Sequence, residues 1–406
     1  MNGVSFSGDG GQTFTDVGFL NPGPGPSILA GDPVVACSSA SRFYYASNFE
    51  TTRPGGSCNP YCPVSAISVS ISSDGGRSWG SPVVAAANND CCHTLDKPWL
   101  AVDPTNVSRL FLTYTDDVCC APAIKLVRSN DGGSTWSAPI VLDQEPSGQF
   151  FPNVVSGSNV AVAPDGQVYV AYEFFTGGLS STGPREIHFQ RSLDHGQTFG
   201  VPLKVSDIVG NGAAYGGYPR SDLEGDFLIN EFPQLAVDRT SGPSNGTLYI
   251  TWSDGRHKVR PDALGGTYAY ADIVVAKSTN HGLSFTVPAP VSPTPATFQG
   301  HGRDQFFPGI AVDGSGKVAV CYYDRRNDPT NLAIDRYCSL SVNHGSTWQD
   351  MRASGPAWLP FQADFFVHDL GEYDALTSDF LLQNSGFFGA FVIEEDGNPN
   401  IVGRKF

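Results

Sequence analysis

Acidic residues recur at two fixed places in a repeating sequence. One set stands just before an apolar, strand-like run: Asp32, Asp96 with Lys97, Glu231, Asp304, and Glu372 with Tyr373. The other follows the next such run: Asp116, Glu173, Asp254 with Arg256, and Asp324 with Arg325 and Arg326. Carboxyl groups crowded together raise one another's pKa, which suits acid–base chemistry and destabilises a fold unless something binds there. The same oxygens suit a hard cation, so Asp304 with Asp32 and Asp96 forms a candidate site for a structural calcium ion. Lys97, Asp254, Asp324 and Glu372 are candidates for touching a substrate.

What must position these residues is a repeat. The phrase "SNDGGSTW" at 129–136 returns as "SGDGGQTF" at 7–14, "SSDGGRSW" at 72–79, "SLDHGQTF" at 192–199, "STNHGLSF" at 278–285 and "SVNHGSTW" at 341–348. Its Ser and Asp side chains suit a tight turn, its Gly suits positive φ and its aromatic packs between sheets, so a turn scaffold is the better reading than a metal site. Asn280 and Asn343 replace the Asp in two copies, which makes the charge dispensable there. A second phrase interleaves, as in "DKPWLAVD", "EFPQLAVD" and "QFFPGIAVD", and strands such as "GTLYITWSD" and "GKVAVCYYD" follow it. Each unit therefore reads as strand, turn, strand, loop, strand, Asp box, strand. The first Asp box has no preceding strands and the last strand set, from about 371, has no Asp box. We expect an all-β, six-bladed propeller of four-stranded blades in one domain, 1–406, closed by N-terminal strands that complete the C-terminal blade and remove an open sheet edge. Strands of such a fold converge on a channel, which would gather the acidic ring at one mouth.

Composition agrees. The chain has 46 Gly and 30 Pro, 12% aromatic residues and 16% charged residues, a pattern for short strands and tight turns. Its formal charge of −16 opposes nucleic acid or an anionic membrane as partner, and no apolar run is long enough to span a bilayer. Nine cysteines without zinc-type spacing favour disulfides and export to the periplasm or outside, with the leader missing from this sequence. Cys321 and Cys338 fall on what should be neighbouring strands, while Cys58 and Cys62 bracket a Pro-rich loop.

Multiple Asp boxes on a six-bladed propeller resemble the sialidase superfamily with its BNR repeats, over essentially the whole chain. "NEFPQLAVD" followed by "GTLYITWSDGR" resembles the segment that supplies a glutamate and an arginine, which implies those roles for Glu231 and Arg256. "GEYDALTSDFLLQNSGFFGAFVIEED" resembles the last-blade segment with the tyrosine nucleophile, matched by Tyr373. The resemblance implies a glycoside hydrolase acting on an acidic glycan, in which Glu231 deprotonates Tyr373, because a carboxylate nucleophile would be repelled by a substrate carboxylate. Arg256 and a blade 5 arginine would clamp that carboxylate, with Arg325 or Arg326 ahead of Arg303 and Arg336 by position. The chain departs from the family in two places. "AGDPVVA" puts Asp32 where the family's first arginine stands, and "TTRPGGSCNPYCPVSAISVS" lacks the expected acid/base aspartate, leaving Asp32 or Asp96 for that role. Two other functions fit the same residues. A polysaccharide lyase would use Tyr373 or His93 as base, with Lys97 or Arg256 against a uronate; a non-catalytic module would bind a glycan or protein beside a divalent cation.

Overall fold

The computed structural model describes residues 3–23, 27–52, 63–88, 93–118, 122–144, 153–176, 184–211, 213–214, 221–257, 259–261, 267–292, 302–359, 370, 374–378, 386–395 and 398–405. Among them there is no helix, and hence none able to cross a membrane. Five sheets have four antiparallel strands each. Blade 1 comprises Ser27–Cys37, Phe43–Thr52, Pro63–Ser72 and Val83–Ala87; blade 2 comprises His93–Val102, Leu110–Val118, Ala123–Ser129 and Ile140–Gln144. Blade 3 follows with Val154–Val162, Val168–Phe175, Arg185–Ser192 and Leu203–Ile208. Blade 4 contains Gln234–Val237, Leu248–Asp254, Asp272–Ser278 and Ala289–Pro290, and blade 5 Gln305–Val312, Val318–Asp324, Asp335–Ser341 and Gln349–Arg352. The sixth has Ala375–Ser378, Phe387–Glu395 and Asn398–Lys405. These are the blades of a six-bladed propeller. Gly3–Phe6 and Thr15–Phe19 pair with each other as a separate hairpin around the first Asp box.

The chain divides into two compact units, residues 1–174 with 189–203, and residues 175–188 with 204–406. In the first, Tyr44, Ile67, Val69, Leu110, Leu112 and Val127 make one apolar cluster, and Phe111, Leu126, Val160, Val170 and Tyr172 a second. In the other unit, Tyr249, Ile273, Ile310, Val320 and Tyr322 do the same. The second strands explain why. "LYITWSD" and "VAVCYYD" are buried at every position, so both faces of the sheet are covered and apolar residues run on without alternation. Each large side chain so buried contributes roughly 1.5–3 kcal/mol. Cys321 and Cys338 lie directly opposite each other on the second and third strands of blade 5 and form a disulfide.

The Asp box is a closed hydrogen-bond circuit. At 129, Ser129 Oγ donates to Asp131 Oδ1 at 2.7 Å and accepts from the Gly133 N–H at 2.9 Å. Asp131 then accepts the Thr135 N–H at 2.9 Å and its hydroxyl at 2.6 Å. In the box at 278 the amide reproduces this with one bond reversed: Asn280 Oδ1 accepts the Ser284 N–H at 3.1 Å, and Asn280 Nδ2 donates to Ser284 Oγ at 2.8 Å. Two consecutive residues take left-handed φ in each box. His195, His281 and His344 adopt it at +57° where other boxes have Gly, and Gly196 is further obliged because an added Cβ would lie 2.5 Å from Phe111. The circuit predicts that Ser129→Ala, which strands a buried N–H, costs about 1–2 kcal/mol in denaturant unfolding. Asp131→Asn, whose amide can make the bonds that Asn280 makes, should cost less at pH 7 than Ser129→Ala; an equal loss for both variants would contradict the scaffold role.

Candidate functional site

Proline decides the backbone around the acidic positions. It cannot donate to a ladder, so a strand that contains one must bulge or stop. Register shifts fall at Gly31/Val34 in blade 1, Asp96/Trp99 in blade 2 and Phe306/Gly309 in blade 5, around Pro33, Pro98 and Pro308. The residue before each proline is thrown into the left-handed region: Asp32 at φ +50°, Lys97 at +53° and Phe307 at +50°. A pre-proline residue normally prefers extended backbone, so each is a strained position.

In the first unit this strain assembles a polar cluster. Lys97 Nζ lies 3.4 Å from Asp32 Oδ2, and the two side chains are only 15% and 23% exposed. Asp96 Oδ1 accepts Asn48 Nδ2 at 2.9 Å and the Lys97 N–H at 2.9 Å. Burial, then the neighbouring Asp96 carboxyl, pushes Asp32 up to about 6, against the opposing charge of Lys97. Burial also acts to raise Asp96, but Lys97, Asp32 and Asn48 together hold it below the usual carboxylate value. Nearby, Asp116 is buried and paired with Lys125, and burial together with the charges of Asp96 and Asp116 raises Asp117. This is a partly exposed carboxyl that keeps its proton near pH 6 beside a cation: a group able to give a proton to a leaving oxygen.

The second unit treats its acids differently. Glu231, Asp254, Asp304 and Asp324 are fully buried, and each is held by donors. Glu231 is paired with Arg185 and accepts Asn211 Nδ2 at 2.8 Å. Arg256 turns back on Asp254, with Nε 2.8 Å from Oδ1, and also donates to Ser206 Oγ at 3.1 Å and to the Asp207 carbonyl. Arg326 repeats the device: Nε donates to Asp324 at 2.7 Å and Nη2 to Ser292 Oγ at 3.1 Å, while Nη1 reaches Asp350. In both cases Asp and Arg two residues on tie the end of a second strand to the segment at the preceding blade's outer strand. Arg325 is 1% exposed, 3.6 Å from Asp304, lies over the adjoining rings of Phe227 and Phe306, and donates to the Glu224 carbonyl at 2.8 Å. Asp304 accepts Tyr268 Oη at 2.8 Å, the Ala271 N–H at 2.9 Å and Asn331 Nδ2 at 2.6 Å, and its burial raises its pKa.

The expected collar of like charge is therefore not what these four acids make. A buried carboxylate without donors is too costly, and each has recruited its own. Arg256, Arg325 and Arg326 are engaged by protein acceptors, and Asp304 spends its oxygens on protein donors. Glu372 and Tyr373 lie outside the described residues; the neighbouring Asp374 accepts Arg336 Nη1 at 2.8 Å and Tyr323 Oη at 3.0 Å. Among the described residues no cluster of three or more His, Cys, Asp or Glu is arranged for a metal ion. Sequence reasoning missed Asn48, Lys125, Arg185 and Asn331, which sit on strands or loops away from the repeated acidic positions, and Asp117, which follows one of them.

A family profile described as BNR repeat-like domain matches residues 64–207. No curated protein matches the chain by sequence. Solved structures share the fold at low identity. A Hadza microbial sialidase superposes with TM-score 0.50 and 15% identity, covering 92% of this chain and 65% of its own. The NanB sialidase of Streptococcus pneumoniae gives 0.51 and 10%, covering 95% and 70%. An ulvan lyase of a polysaccharide lyase family gives 0.51 and 10%, covering 92% and 78%. The chain thus spans just under two thirds of the length of the first of these. BNR repeat-like sequence covers residues 64–207, and the chain shares a six-bladed propeller fold with these structures.

The Asp32 geometry makes a stability prediction. A carboxyl whose folded pKa is raised above its unfolded value weakens folding increasingly as pH rises from about 4 to about 6, and the full penalty is present at pH 7. Asn also tolerates left-handed φ. Asp32→Asn should therefore raise the thermal midpoint at pH 7 by a few degrees, an effect of ~2 kcal/mol, and should have little effect at pH 4. A lowered midpoint at pH 7 would contradict the assignment.

Proposed function

We propose that the chain is a glycan-active hydrolase of the sialidase type, acting on an acidic glycan with Asp32 as the proton donor. The observation that carries this reading is the Asp32 carboxyl, proton-bearing near pH 6, strained, partly exposed and set against Asp96 and Lys97. Protonation of the glycosidic oxygen by such a group is the step that both stereochemical courses of glycoside hydrolysis share. Lys97 supplies a cation for an acidic sugar, which takes over part of the work expected of the arginines now engaged by Asp254, Asp304 and Asp324.

Tyr373 is the nucleophile in this reading, and Glu231, paired with Arg185, is the carboxylate that takes its proton. A neutral nucleophile suits a substrate with a carboxylate at the reacting carbon, for the repulsion reason given above. The sialidases and the ulvan lyase among the structural neighbours support a glycan as ligand, and the disulfide of blade 5 supports an exported protein.

The test is turnover of sialosides with good and poor leaving groups. Asp32→Asn should lower kcat/KM about 10²–10⁴-fold for an alkyl-linked sialoside and much less for an aryl ketoside, which needs little help from an acid. Tyr373→Phe should abolish cleavage of both. In the parent protein kcat/KM should fall as pH rises past about 6, where Asp32 loses its proton. Equal losses on both substrates for Asp32→Asn, or unchanged turnover for Tyr373→Phe, would overturn the reading. Product absorbance from a new double bond with a uronate polymer would establish a lyase in its place.

A further inference from the structure

We propose that a cleft at the Asp-box end of blade 5 is a second binding site, for a carboxylated pyranose of an acidic glycan. The choice of ligand class rests on the reading of the chain as glycan-active, but the site is independent of catalysis at Asp32. The cleft, of about 310 Å³, is lined by Asp313 and Lys317 from the turn between the first two strands, Leu340 from the third, Thr347 and Trp348 from the Asp box, and Phe387 of blade 6. All belong to the second unit. Asp304 and Asp324 are at the other end of the blade, since the ladder runs from Gln305 opposite Asp324 to Val312 opposite Val318, a strand length of roughly 20 Å.

The cleft is rich in donors that the protein does not use. Among the described residues Lys317 Nζ has no carboxylate partner, unlike Lys97, Lys125 and Lys204. Trp348 Nε1 has no partner there either, whereas Trp79, at the same place in its box, gives its N–H to the Gly76 carbonyl at 3.1 Å. Thr347 adds a third donor through the amide of its box. Where the box holds Asp, the hydroxyl donates, as Thr135 does to Asp131 at 2.6 Å. In blade 5, Asn343 Oδ1 accepts the Ser341 hydroxyl and the Thr347 N–H, both at 2.9 Å, so Nδ2 is left to donate to Thr347 Oγ1 at 2.8 Å. A hydroxyl that accepts keeps its own proton to give, and Thr347 is exposed.

The same wall holds one unmet acceptor. Asp313 Oδ1 takes the Ser315 N–H and hydroxyl at 2.8 and 2.7 Å and the Lys317 N–H at 3.0 Å, while Oδ2 is buried without a partner among the described residues. Its counterpart Asp103 accepts Arg109 at 2.8 Å through that oxygen. A buried acceptor of this kind calls for a hydroxyl donor. Leu340 packs against the apolar cluster of Phe387, and the partly exposed Trp348 ring offers a flat face to the C–H groups of a sugar. Ammonium, indole N–H and hydroxyl proton suit a carboxylate, Asp313 suits a sugar hydroxyl, and the ring suits a pyranose face. A simple anion lacks the last two features, and a neutral sugar leaves Lys317 unmet.

Fluorine NMR of fluorotryptophan-labelled protein tests this with sodium glucuronate, sodium N-acetylneuraminate and glucose as probes. The chain has six Trp, and the Trp348 signal is identified by its loss in Trp348→Phe, Phe being the residue at this place in the boxes at 7, 192 and 278. That signal should move saturably with at least one of the two acids, with a Kd about tenfold below that of glucose. Lys317→Ala and Asn343→Asp should each raise the Kd about tenfold, the second by recalling the Thr347 proton into the box, in a position that four other boxes fill with Asp. Thr347→Val, which removes that proton without adding charge, should raise it several-fold. A Trp348 signal unmoved by either acid at about 50 mM, or glucose binding as tightly as both acids, overturns the inference. Turnover of a sialoside with a silent Trp348 overturns this site alone; an acid-specific Trp348 shift in a protein that cleaves no sialoside upholds the site and overturns the hydrolase reading.

Discussion

A proline cannot donate to a sheet ladder, and in three first strands, at Pro33, Pro98 and Pro308, the chain answers by bulging and driving the preceding residue into left-handed φ. That break is where Asp32 and Lys97 leave the ladder. A regular strand would alternate its side chains between the two sheet faces and bury Asp32 and Lys97 against neighbouring sheets. The two bulges instead free Asp32 and Lys97, on the first strands of blades 1 and 2, from the ladder, and they pair at 3.4 Å. The local strain, of order 1–3 kcal/mol per residue, persists because packed strands on both sides fix the chain beyond it. Phe307, with the same geometry, spends it on packing with Phe306 and Tyr323.

The two units thus put the same repeat to different uses. Around Asp32 the acids have donors of their own, Asp96 from Asn48 and Lys97 and Asp116 from Lys125, while Asp32 itself is partly exposed and raised to about 6. Around Glu231, Asp254, Asp304 and Asp324 each acid is held by protein donors, and arginine side chains are held in apolar company, as Arg325 is over two adjoining phenylalanine rings. Saturated buried pairs bring order more than stability, since desolvation offsets most of their attraction. What they give here is register: Asp254 with Arg256 and Asp324 with Arg326 end their strands at defined points.

The fold was legible because its signals are local and repeated. Six Asp boxes phase the blades, and the apolar runs between them have the composition of strands covered on both faces. The hairpin at Gly3–Phe6 was legible as an orphaned box, although its strands pair with each other in a sheet of their own. Candidate site residues were legible only as types and positions. Asp32 stood out because it replaces an expected cation, and its partner Lys97 because it flanks Asp96. Asn48 gave no sign, since its role depends on a contact 48 residues away in sequence. The engagement of Arg256 and Arg326 by their own aspartates was hidden for a related reason: the Asp-x-Arg spacing is plain, but the serines that complete each tie come from another strand set. Burial is the common cause, as charge counts treat every acid alike while solvent access separates them.

One detail of the Asp boxes has a directional consequence. Asp9, Asp74, Asp131 and Asp194 belong to the first unit, whereas the boxes of the second, at Asn280 and Asn343, hold no ionisable group at that position. Hydrogen bonds to the carboxylates, led by those from Thr and Ser hydroxyls, hold Asp74 and Asp131 down to about 2, with Asp9 and Asp194 also depressed. Groups with depressed folded pKa lend stability above their unfolded value and lose it as pH falls from about 4 toward 2. Souring of the surroundings would accordingly slacken the turns of one unit and spare those of the other. Whether an Asp-box turn weakens in acid is thus written, box by box, as the choice between a carboxylate and an amide.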